Sequence, residues 1–230
     1  MALGDLFQIG KAGLQSALIV SSLCIIVPMA ISVADFNGHC PLFSRAHWSA
    51  NATGPYDHHF LVVNEWGLQS HCTFGVFIGC AQLLVSLFYA FFIGVHLYLQ
   101  REASFLTVFF GVQVSSFFTI SLAMEAAIVT GGLFQWCLLM SDVFEYGCEQ
   151  AQFGDVLSNY PDINSGRFLF TFGAAKIGLW FSFLVWFLDL LLMLLQLLRL
   201  HRRERLLVSL RREARMLRNR LHRDPDYVNI

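Results

Sequence analysis

Four groups of residues in this 230-residue chain have types suited to chemistry. Five histidines, His39, His47, His58, His59 and His71, crowd one stretch. A zinc site or a pH sensor would draw on such residues, but no pair has the i,i+4 or H-x₃₋₅-H spacing of a common zinc motif, so no metal is expected. Asp189, Glu125 and Lys176 interrupt long apolar runs. Cys40, Cys72, Cys137 and Cys148 flank such runs, whereas Cys24 and Cys80 lie inside them and read as small apolar residues. Asn51-Ala-Thr53 is a glycosylation sequon. No paired acids, nucleophile with a base, or Gly-rich phosphate loop occurs in the apolar runs or the short polar link near Gln100-Arg-Glu102. No enzyme and no cofactor are therefore expected.

The elements that position these residues follow from composition. Apolar residues make up 56% of the chain, including 23 Phe, and only 13% are charged. A soluble globule is nearer 45–50% apolar and about 25% charged, so this balance suits a bilayer. Four stretches are long enough to cross about 30 Å of hydrocarbon: residues 14–33, 73–99, 103–134 and 168–198. Each should be helical, because backbone groups in lipid must bond within their own segment. Pro28 is expected to kink the first. That first stretch exceeds the usual length of a secretory signal, so an uncleaved helix is expected, with cleavage near Ala30–Ala34 as the alternative.

Basic residues set the orientation. Ten of the fifteen Lys and Arg follow Leu198, and with Lys11 and Arg101 they share one side of the membrane. The positive-inside rule puts that side, and both termini, in the cytoplasm. The sequon and the four flanking cysteines then lie outside, where pairing is the default. Cys40–Cys72 and Cys137–Cys148, one bridge per outer loop, is the favoured connectivity, with cross-pairing between the loops as the alternative. The outer segments carry Arg45, Arg167 and Lys176 against nine acids, a net charge of 3 − 9 = −6, which disfavours nucleic acid.

Charges at membrane depth are functional candidates. Asp189 lies ten residues from Arg199, about 15 Å from the end of its helix and so near the midplane. Gln113 and Tyr89 fall at the same depth, with Ser21 and Ser22 close by, which predicts a buried polar layer. Asp189 there reads first as a protonated, hydrogen-bonded clasp, second as a docking charge for a basic residue on a partner helix, and third as an ion- or proton-coupling site. Glu125 and Lys176 each lie about 33 Å along their helices, at the outer interface, where an ion pair is expected and snorkelling into headgroups is the alternative. Gly75 and Gly79 form a Gly-x-x-x-Gly step suited to close helix packing, within the bundle or between copies.

From Arg199 to Arg223 the chain reads as a basic amphipathic helix, with Leu206, Leu207, Leu210, Leu217 and Leu221 on one face and Ala214 between them. Binding to an anionic bilayer surface is the first reading, a short coiled coil or a calmodulin-type target of a cytoplasmic protein the second, and an ordinary strong positive-inside signal the plain alternative. The final Asp226-Tyr-Val-Asn-Ile230 has the form of short PDZ and SH2 ligands.

Several outer-loop blocks are more specific: Asp35-Phe-Asn-Gly-His-Cys-Pro-Leu-Phe43, Trp48-Ser-Ala-Asn-Ala-Thr53, Asn64-Glu-Trp-Gly67 followed by Cys72, Trp136-Cys137, Cys148-Glu-Gln150, and Gly178-Leu-Trp180 with Trp186. Together these resemble the transmembrane protein 179 family of tetraspan proteins, over most of the chain up to about Trp186. The resemblance implies a multi-pass membrane protein without assigned enzymatic activity. Trp66-Gly-Leu68 with Cys72 also has a claudin first-loop character, but that loop carries a close cysteine pair that is missing here, so the likeness is not adopted.

The reading is thus an all-α membrane protein. Residues 1–198 form a four-transmembrane-helix bundle with two disulfide-containing outer loops, and residues 199–230 form a basic amphipathic cytoplasmic tail. Its expected role is a non-enzymatic accessory or organiser of other membrane proteins in contact with membrane lipids. A channel or transporter subunit with Asp189 at the midplane is the alternative.

Overall fold

A computed structural model describes residues 3–51, 58–99, 105–141, 148, 163 and 165–223. The chain-terminal Asp226–Ile230 segment and most of the sequon lie outside these residues. Helix α1 is Leu3–Asp35, strand β1 Cys40–Asn51, strand β2 His58–Gly67, helix α2 Gln69–Leu99, helix α3 Phe105–Ser141 and helix α4 Phe168–Arg223, the last entered through a 3₁₀ turn at Ser165–Arg167. All four helices are long and apolar enough to span a bilayer. Large side chains such as Phe77, Phe88, Phe91, Phe110, Phe117 and Phe170 stand exposed on the outside, as a lipid-facing surface requires.

The inward faces follow a three-four repeat. On α1 it buries Gln15, Leu18, Ser22, Ile25, Met29 and Ser32, and Phe36 just past its end continues the stripe. On α4 it buries Phe172, Ala175, Leu179, Ser182, Trp186, Asp189 and Met193. Such stripes pack helices at shallow angles in a bundle. Gly75 and Gly79 belong to this interior: a β-carbon at Gly75 would lie 2.7 Å from Met29 Cε, and one at Gly79 2.9 Å from Ile26 Cγ1. The glycine step therefore packs α2 on α1 within one chain. Pro28 sits inside an unbroken α1.

The helices differ from the expected spans at their ends, for identifiable reasons. α3 continues past residue 134 to Ser141 because Trp136 and Met140, both buried, still have a surface to pack on. That surface is an antiparallel hairpin, β1 with β2, in the segment read as the first outer loop. The hairpin pairs Ala46 with Val63, Trp48 with Leu61 and Asn51 with His58. Its ladder shifts register between Cys40 and Ala46, where Pro41 has no N–H to donate and Phe43 adopts φ 61°. The fold is thus a helical bundle capped by a two-stranded sheet. α4 is one helix from Phe168 to Arg223, so the tail continues the fourth span as a single helix.

Both expected disulfides are formed. Cys40 and Cys72 have Cα atoms 5.8 Å apart across 32 residues, and Cys137 and Cys148 are 5.0 Å apart across 11. The first ties the start of β1 to the first turn of α2. The second ties the last turn of α3 to the segment that follows.

Candidate functional site

Two features are built with care: the clamp that holds the hairpin on the bundle, and a column of polar groups inside the bundle.

The clamp begins where α1 ends. Asn37 and Gly38 take positive φ, the Gly38 amide bonds back to the Val33 carbonyl at 2.8 Å, and the chain turns sharply into β1. Phe36, fully buried, meets Trp66 of β2 and Trp136 of α3 edge-on at 6.3 and 6.1 Å. His39 stacks on Trp66 at 5.1 Å, and His71 meets Phe43 edge-on at 5.8 Å, so two of the five histidines are aromatic packing partners. The shifted register pushes Leu42 inward, where it is 1% exposed and rests on Gly132 of α3. Gly67, closing β2, lies directly against the Leu42 carbonyl, where no side chain fits. Trp48 donates its indole N–H to the Leu139 carbonyl at 2.8 Å.

The polar column starts at the tail end of the bundle. Lys11 was expected on the flank of the first span, but it lies inside the bundle and donates to Met193 Sδ and Gln196 Oε1, both at 2.9 Å. One turn further in, Asp189 is 1% exposed and accepts a hydrogen bond from Ser115 of α3 at 2.7 Å. Lys11 and Asp189 lie near enough to interact electrostatically. About 10 Å beyond, Gln82 of α2 donates to the Leu18 carbonyl at 3.0 Å, to Ser21 at 3.2 Å and to Ser182 at 3.1 Å, and Ser182 donates to Ser21 at 2.8 Å. Three helices are thereby joined at one level. Gln15 Oε1, Gln82 Oε1, Ser86 Oγ and Asp189 Oδ1 are buried without a hydrogen-bond partner among the described residues.

The midplane layer is therefore recomposed. Asp189 belongs to it, and Tyr89 borders it, its hydroxyl 3.8 Å from where a β-carbon on Gly111 would stand. Gln113 does not: it is exposed on the outside of α3. Ser115, two residues on, takes the place expected of it, because two residues turn a helix by about 200° and so reach the opposite face. The Glu125–Lys176 ion pair is not formed. Glu125 is fully buried and turned toward α1 and α2, with Oε1 2.8 Å from where a β-carbon on Gly75 would stand. Neither of its oxygens has a hydrogen-bond partner among the described residues, and Lys176 is half-buried on another face. Equal depth along two helices does not bring residues together when their angular positions differ. The described ion pair is Arg45–Glu65, 3.8 Å across the exposed hairpin.

Lys11, Gln15, Gln82, Ser86, Ser115 and Ser182 were not singled out from the sequence. Their signal was the three-four spacing: Lys11, Gln15 and Ser22 on α1, and Gln82, Ser86 and Tyr89 on α2, follow the stripe that buries Gly75 and Gly79. Asn51 ends β1 at the hairpin tip, opposite His58. Cys24 and Cys80 are exposed free thiols on the outside of the bundle.

No solved structure matches the chain. A family model described as the transmembrane protein 179/179B claudin domain matches residues 7–218. This extends the resemblance beyond Trp186 to Asp189 and most of the tail helix. It also corrects the rejection of the claudin likeness. The absent close cysteine pair was the wrong criterion, because Cys72 finds its partner 32 residues upstream in Cys40, through the hairpin. With four spans, a disulfide-tied hairpin and a match over nearly its whole length, the chain belongs to the transmembrane protein 179/179B family of claudin-type tetraspan membrane proteins.

Proposed function

We propose that this tetraspan is a non-enzymatic accessory or organising partner of other membrane proteins, with both termini in the cytoplasm and the hairpin, glycosylated at Asn51, outside. The observation that carries this reading is where the chain spends its specific interactions. Leu42 on Gly132, Trp48 on the Leu139 carbonyl and the Cys40–Cys72 bridge hold the hairpin as a fixed platform on the helix ends. The midplane acid accepts from Ser115 through one carboxyl oxygen and has Lys11 near it, which supports an internal role over a docking charge. A rigid platform on a closed bundle suits recognition of other proteins better than it suits catalysis. The basic tail supplies a second surface, for anionic lipid or a cytoplasmic protein.

Co-purification in mild detergent with partners identified by mass spectrometry tests this. The wild type, Asp189→Asn and the hairpin variant Arg45→Glu should be compared. The expected result is a defined partner set, kept by Asp189→Asn and diminished by Arg45→Glu. A partner lost only in Asp189→Asn would restore the docking-charge reading, and no specific partner at all would remove the proposal.

One observation favours the alternative of a channel or transporter subunit. Gln15, Gln82, Ser86 and Asp189 present unpaired buried oxygens along one column, and such atoms are ordinarily satisfied by water or an ion. Ion flux in reconstituted vesicles that is abolished by Asp189→Asn would establish this reading.

A further inference from the structure

The buried stripe of α4 does not stop at the membrane. Phe172, Leu179, Trp186 and Met193 occupy every seventh position, and Ala175, Ser182 and Asp189 the alternate seam position. The same frame passes Gln196, Leu200 and Arg203 and runs on through Leu207, Leu210, Ala214, Leu217 and Leu221. In the bundle this stripe is covered by α1 and α3. Lys11 meets α4 at Met193 and Gln196, and α1 begins at Leu3, so at about 1.5 Å per residue α1 accompanies α4 only to about residue 204. Ser115 meets Asp189, and α3 begins at Phe105, so α3 ends near the level of Arg199. Past that level no described element of this chain runs beside α4, and the seam residues Leu210 and Ala214 stand exposed, Leu210 at 58%.

We propose that a second copy of this chain covers the tail seam, as a parallel two-stranded coiled coil. Charge complementarity selects this occupant. In a parallel pair, a g position of one helix faces the e position five residues on in the other. With Leu207 at a and Leu210 at d, Glu213 faces Arg218 of the second copy, beyond the level that α1 and α3 cover. Arg202, Arg205, Arg212, Arg215 and Arg223 fall at outer positions, where a two-stranded seam leaves them in water. Arg203 is the one seam position that opposes pairing, and it lies at the membrane end, where the two helices diverge into separate bundles. Copies inserted the same way emerge on the same side, so the orientation is parallel without further device, and the shared membrane raises their effective concentration. An anionic bilayer is the weaker occupant. Positions beyond Leu207 lie about 12 Å or more past Arg199 along an unbroken helix, outside a screening length of about 8 Å. The proposal concerns the tail and does not depend on the hairpin reading.

The test is cysteine cross-linking of the full-length protein in its membrane, in a Cys24→Ser/Cys80→Ser background that removes the free thiols. Leu210→Cys places a thiol in the seam, and Arg212→Cys places one on the outer face. After oxidation of the membranes with added copper phenanthroline, the expected result is a disulfide-linked dimer from Leu210→Cys, roughly tenfold above Arg212→Cys. Adding Glu213→Arg should lower the yield, and adding Arg218→Glu to that variant should restore it. Size-exclusion profiles of the same variants verify folding, so a lost cross-link in a folded protein counts against the seam. Equal cross-linking at both positions would overturn the proposal. So would a failure of the charge exchange to restore pairing. A seam thiol that cross-links to a different protein, or is shielded only in vesicles rich in phosphatidylserine, would also overturn it and would name the other occupant.

Discussion

Leu42 of the hairpin rests on Gly132 of α3 so closely that a β-carbon at Gly132 would stand 2.7 Å from Leu42 Cδ2 and 3.2 Å from its Cα. Part of this contact is backbone, so it cannot yield by a rotamer change alone. Gly132→Ala should lower thermal stability in detergent by about 1–3 kcal/mol, the usual cost of overpacking. Leu42→Ala should recover part of that loss in the double variant, since it removes the side-chain share of the clash. A double-mutant cycle read from melting curves checks this, and strict additivity would contradict the contact.

The Ser115–Asp189 bond predicts an order among three variants. Asp189→Asn keeps an oxygen to accept from Ser115 and should be mild. Ser115→Ala leaves both carboxyl oxygens without a hydrogen bond and should cost more, though interhelical bonds of this kind average only about 0.6 kcal/mol. Asp189→Leu with Ser115→Ala removes both partners and should fall below the single Ser115→Ala in cost. Unfolding in mixed micelles, followed by tryptophan fluorescence, gives the ranking.

Glu125 is fully buried, and neither of its oxygens finds a partner among the described residues. Glu125→Gln and Glu125→Met should therefore leave expression and stability near wild type, because an unpaired buried carboxyl contributes little that its replacement loses. Glu125→Lys should reduce folded yield severely. Lys176→Glu should not rescue it, since the two side chains do not meet. Rescue on a fluorescence size-exclusion profile would reinstate the ion pair.

Closing a 32-residue loop with Cys40–Cys72 should contribute roughly 3–4 kcal/mol on the chain-entropy account. Cys40→Ser, Cys72→Ser and the double variant should all be destabilised to the same degree, with no added loss in the double. Cys137→Ser should show a separate and smaller loss, because its loop is shorter. Non-reducing gels and melting temperatures of the four variants decide it, and a Cys40→Ser/Cys72→Ser protein as stable as wild type would contradict the pinned hairpin.

Much was legible in the residues themselves. The four spans follow from apolar length, since a bilayer leaves the backbone no partner but itself. The pairing within each loop was foreseen because Cys40 with Cys72, and Cys137 with Cys148, bracket the same loop and so return to the same membrane face. The family resemblance rested on loop blocks such as Asp35–Phe43, which now prove to be the turn, the strand start and the wedge of the clamp. Depth along a helix was also readable: Tyr89 lies near enough to Asp189 to interact electrostatically.

What the tertiary structure alone decided is angular and cooperative. Gln113 and Ser115 are two residues apart and equally plausible in sequence, yet one faces outward and the other bonds Asp189, because α3 is rotated by its packing on α4. Glu125 turns to Gly75 and Met29, away from Lys176, for the same reason. Lys11 enters the bundle because Met193 and Gln196 receive it. The hairpin forms although Pro41 and the histidine-rich segment give a weak strand signal, since Leu42, Trp48 and Phe36 find burial against α3 that no local pattern records. Hydrophobic length and cysteine position are properties of the chain taken one segment at a time. Rotation about a helix axis, and the docking of a sheet on helix ends, exist only between segments.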